Sequence, residues 1–75
     1  MRHDHYFKDV SHLCTIDVYR VLELFGVTDP AIAHAIKKLL MPGDRGAGKD
    51  EEQDIREAID SLTRALVMRD EDRKK

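Results

Sequence analysis

The stretch Gly43–Asp50 reads GDRGAGKD, with three glycines, Arg45 and Lys49 among its eight residues. It matches the phosphate-loop pattern G-x-x-x-x-G-K-[S/T] at every fixed position except the last. A phosphate loop wraps backbone N–H groups around its anion and holds magnesium through a hydroxyl. Asp50 supplies a carboxylate where that hydroxyl belongs, and the preceding residues read as a helix rather than a buried strand. What remains is looser chemistry. A glycine-rich turn that feeds a helix N-terminus and carries Arg45 and Lys49 suits a phosphate. The same composition also suits a solvated connector whose glycines permit the turn.

A second group is His34, Lys37 and Lys38. His34 and Lys38 are four residues apart and share a helix face, with Lys37 one residue round. In a chain of net charge −2 this local run of cations is informative, and with Arg45 and Lys49 it would form one anion-binding cluster. Equally, cations late in a helix stabilise its C-terminal dipole. The N-terminal group His3, Asp4, His5, Tyr6, Lys8 and His12 lacks the thiolates and defined spacing of a structural zinc site, so no metal is expected. His5, Tyr6 and Lys8 could instead stack on and pair with a nucleotide. Asp50, Asp54 and Glu57 fall near one helix face, where oxygen ligands could hold magnesium. An acidic first turn also stabilises a helix by itself. Cys14 reads as a small core residue, because only His12 stands near enough to activate it. No catalytic constellation and no cofactor site emerge.

The elements that must position these groups are helical. Thr15 is a good N-cap for a first helix over about 15–25, whose Ile16, Tyr19, Val21, Leu22, Leu24 and Phe25 form a broad apolar face up to Gly26. Asp29 before Pro30 starts a second helix over about 29–41, ended by Pro42-Gly43. Asp50 with Gln53 resembles a capping box for a third, over about 50–69. There Ile55, Ile59, Leu62 and Leu66 recur at spacings of 4, 3 and 4, the stripe expected to face the core. Residues 1–14 read as an irregular arm, and 70–75 as a charged tail that frays. The fold class is all-α, in one small domain.

Bulk composition narrows the rest. The 75 residues are 41% hydrophobic and 37% charged, with four aromatics and one cysteine. No intrachain disulfide is possible, and the chemistry fits a reducing compartment, so a cytoplasmic location is expected. No apolar run approaches the roughly 18 residues of a membrane span. The near-neutral balance argues against general nucleic-acid binding. So small a core is marginal, and pairing the spare apolar faces in a homo-oligomer is the expected remedy.

The order His5-Tyr6, Ile16-Asp17-Val18, Ala35-Ile36-Lys37-Lys38-Leu39, Gly43, Lys49-Asp50, Asp54, Ala58, Leu62 and Arg64 resembles a small bacteriophage domain family described as phage nucleotide kinase-like. The likeness spans about residues 5–66 in short motifs. Ser61 departs from it, standing where the family often has an aromatic residue, and the glycine loop is longer than usual. The resemblance implies a phage origin, hence the cytoplasm of an infected bacterium, and a nucleotide-type ligand. In size and design the chain is similar to small helical phage proteins that sequester the nucleotide signals of host immunity. On this reading His5, Tyr6, Lys8, His34, Lys37, Lys38, Arg45 and Lys49 bind the ligand, with no catalysis. The alternatives are a nucleoside monophosphate kinase-like or metal-dependent nucleotide-processing enzyme, and a helical protein-interaction module.

Overall fold

A computed structural model describes residues 4–43 and 50–74, and within these the chain is all-α. A 3-10 turn, Asp4–Tyr6, precedes three α-helices: α1 (Val18–Leu24), α2 (Pro30–Leu40) and α3 (Glu51–Arg73). Each helix starts on an aspartate, because a short carboxylate can accept the first orphan N–H groups. Asp17 accepts from Arg20 N–H at 2.9 Å, so α1 opens two residues later than a Thr15 cap would place it. Asp29 accepts from the N–H groups of Ala31 and Ile32 at 2.8 and 3.2 Å, and Pro30 follows at N1. Asp50 accepts from Gln53 N–H at 2.7 Å. The capping box is only half made, since the Gln53 amide turns forward to donate to Glu57 Oε2 at 2.9 Å.

Two glycines set the corners. Gly26, at φ 68°, lets Val27 N–H reach back to Leu22 C=O and Gly26 N–H to Glu23 C=O, the paired bonds of a Schellman stop. Gly43, at φ 74°, lies so near α3 that an added Cβ would stand 3.1 Å from Glu51 N.

Helices α2 and α3 form an antiparallel hairpin, and α1 leans lightly on α2. The α3 seam against α2 is small and polar: Asp54, Ala58 and Ala65 are buried there, with Ser61 and Met68 half-buried on the same side. Ala35 and Lys38 are the buried residues of α2. The large stripe expected to face the core instead faces outward. Ile55, Ile59, Leu62 and Leu66 all count among the exposed large hydrophobics, Leu66 at 68%. The two stripes lie one residue, about 100°, apart around the helix, and alanines admit the closer approach of backbones. The tail expected to fray is helical to Arg73, tied by Asp70 to Arg73 and Lys74 at i+3 and i+4. Cys14 is exposed rather than in the core, because its segment runs outside the hairpin.

Candidate functional site

At the closed end of the α2–α3 hairpin lies an ionic cluster of Lys38, Asp54 and Glu57, the first two shut away from water and Glu57 at its half-buried edge. Lys38 is 2% exposed and Asp54 0%. The Lys38 ammonium lies 2.6 Å from Glu57 Oε1 and 3.5 Å from Asp54 Oδ1. The second Asp54 oxygen accepts from Gly43 N–H at 2.7 Å. The local sequence explains the meeting. Asp54 falls one turn inside α3, Lys38 falls in the last turn of α2, and the left-handed Gly43 turns the backbone N–H between them inward. Charges in so dry a place must be paired and hydrogen-bonded, and these are.

That geometry reassigns several residues. Lys38, expected to meet a phosphate, has its ammonium held by two carboxylates beneath the surface. Asp54 and Glu57, weighed as magnesium ligands, hold that ammonium instead; among the described residues no group of three or more His, Cys, Asp or Glu could hold a metal ion. His34 is exposed, but its Nδ1 stands 2.8 Å from Ser61 Oγ, pinning the middle of the hairpin. Lys37 lies over the ring of Tyr19 in α1 at 4.9 Å and Lys8 over the ring of Phe25, which caps the end of α1, at 5.2 Å. The His5 and Tyr6 rings pack against one another at a tilt of 58°, with centroids 4.2 Å apart. Arg45 and Lys49 lie outside the described residues. Within the described part, Lys38, His34, Lys37 and Lys8 each engage a different partner.

The open end of the hairpin carries an open pocket of about 410 Å³, lined by Asp29, Pro30, Met68, Arg69 and Asp72. Arg69 bridges to Asp29 Oδ2 at 3.2 Å and donates to Ala65 C=O at 3.1 Å. The N–H of Ile32, donated to the Asp29 carboxylate, holds its pKa below the ordinary value, aided by Ala31 N–H and Arg69 against partial desolvation. With two carboxylates beside its one guanidinium, this pocket is poorly suited to an anion.

The remaining feature is the outer face of α3. Ile55, Ile59, Leu62 and Leu66 form a strip roughly 17 Å long at 1.5 Å per residue, exposed along its whole length. Its periodicity was legible in the sequence. Its direction was not, because the adjacent seam of small residues carries no hydrophobic signal.

No protein-family model, curated protein or solved structure matches the chain.

Proposed function

We propose that this chain is a helical interaction module that presents the outer face of α3 to a protein partner. One observation carries the reading: the four large apolar residues at core-like spacing lie about 100° round α3 from its seam with α2, the one helix among the described residues that packs on it, and all four are exposed. An apolar strip of that kind, rimmed by charged residues, is the form that helix-recognising surfaces take. No helix of the described residues is long and apolar enough to cross a membrane, so a bilayer is not the partner for a span.

Sequestration of a nucleotide, the ligand type that the family resemblance implies, would draw on His5, Tyr6, Lys8, His34, Lys37, Arg45 and Lys49 without Lys38. The nucleotide-enzyme alternatives would draw on carboxylates other than Asp54, which is enclosed. The interaction reading needs none of these groups.

The test is thiol labelling in a Cys14→Ser background at nanomolar concentration. Ile59→Cys should react as fast as an exposed thiol, and Ala65→Cys, on the seam with α2, should be protected. Equal protection at both positions in a monomer would place the strip inside the fold and overturn the reading.

A further inference from the structure

Resting on that reading, we propose that the partner is a second copy of this chain, its α3 packed antiparallel against the first about a two-fold axis between Ile59 and Leu62. The area calls for a partner of substantial size. A compact monomer of this mass exposes roughly 4700 Å², whereas the chain, at 8.7 kDa, exposes 6080 Å². The surplus belongs to the whole chain, with Tyr6, Phe7, Ile16, Tyr19 and Leu39 exposed as well as the α3 strip, and it exceeds the roughly 800 Å² that each side gives to a standard stable interface. The spacing fits a helical mate, because apolar residues at 4, 3 and 4 make a knobs-into-holes seam.

Charge selects the orientation. Glu52 lies one turn before Ile55, and Arg69 one turn after Leu66, so the strip ends in an acid at one end and a base at the other. Both side chains are reachable, at 78% and 47% exposure. The axis between Ile59 and Leu62 sets Ile55 opposite Leu66, Ile59 opposite Leu62, and Glu52 opposite Arg69. Symmetry then supplies each contact twice. A parallel pairing would set Glu52 against Glu52 and Arg69 against Arg69, which like-charge repulsion disfavours. Antiparallel packing also opposes the two helix dipoles. Arg69 is already steadied by Asp29 and Ala65, so its guanidinium is held at the edge of the strip before any mate arrives.

The experiment combines sedimentation with two cysteine readouts, all in the Cys14→Ser background. From nanomolar to high micromolar protein, the mass should double. Labelling of Ile59→Cys should slow in step with it, about tenfold once nine-tenths of the chain is paired. Under mild oxidation a mixture of Glu52→Cys and Arg69→Cys chains should form a mixed disulfide that neither forms alone. Helicity that falls with mass on dilution marks an obligate dimer and also supports the proposal. A chain that stays monomeric and labels fast at position 59 throughout overturns self-pairing but leaves the interaction module standing. Doubled mass with position 59 still reactive, or disulfides within each single variant alone, overturns the arrangement. Protection of position 59 in a monomer overturns both readings.

Discussion

The Lys38 ammonium and the Asp54 carboxylate have both given up their hydration, with Glu57 and Gly43 N–H as their nearer partners, so the cost of disturbing either depends on what is left behind. Removing one partner of a buried pair strands the other charge and costs about 3–5 kcal/mol. Lys38→Met should therefore lose stability on that scale in chemical denaturation followed by circular dichroism. The double variant Lys38→Met with Asp54→Asn should recover part of the loss, because the asparagine oxygen still accepts from Gly43 N–H and the fully buried one of the two stranded carboxylates is now neutral, leaving only the partly exposed Glu57 charged. Two single losses that simply add would show that the pair is not coupled. Gly43→Ala belongs with these changes. It puts a methyl 3.1 Å from Glu51 N at a positive φ, so it should destabilise the same corner. It follows that a Lys38→Ala variant reports on folding before it reports on any anion. The sequence made Lys38 look like a surface cation, since its partner lies sixteen residues away across a turn.

At the scale of the helix, α3 has two stripes with different tasks. Its seam with α2 is alanine-lined, with Ala58 at 2% exposure, so added volume there has nowhere to go. Ala58→Leu should cost about 1–3 kcal/mol through overpacking. Leu66→Ala, measured in dilute monomer, should change stability by less than about 0.5 kcal/mol. Thermal or urea unfolding of the two variants checks the contrast, and a reversed order would return the large stripe to the core. The start of α2 adds a pH dependence. The Asp29 pKa is held low by the N–H of Ile32 first, so folding favours its ionised form. Its stabilisation is fully present above the ordinary carboxylate value of about 3.9 and is lost as pH falls through the lower folded value. Asp29→Asn keeps a cap but not the titration. Urea midpoints taken between neutral pH and about pH 2 should thus fall more steeply in the wild type than in the variant. Both caps, Asp29 and Asp50, were legible because capping is local. The first helix was not fixed as well, since Thr15 and Asp17 are both competent caps and the sequence offers no rule between them.

Taken whole, the molecule is flat, 41 × 39 × 22 Å, with a radius of gyration of 15.2 Å. A compact domain of its length would have roughly 11 Å. A body so thin has little interior. Its buried apolar residues among those described are Leu22, Ala35, Ala58 and Ala65, three of them alanines. If a second copy supplies the missing depth, stability must follow mass action. The thermal midpoint of the wild type should then rise with protein concentration, while Ile59→Asp with Leu62→Asp should melt lower and without that dependence. A wild-type midpoint independent of concentration would speak for a monomer. The amino-acid sequence by itself determined the helical class, the placement of α2 and α3 and their aspartate caps, because hydrogen bonding within a turn and 3.6-residue periodicity are settled among near neighbours. Only the tertiary structure decided which stripe of α3 turns inward. Burial of large side chains favours one choice, whereas close backbone approach and the Lys38–Asp54–Glu57 cluster favour the other. That competition is between residues distant in the chain. The small polar seam won, and the large apolar strip was left facing out.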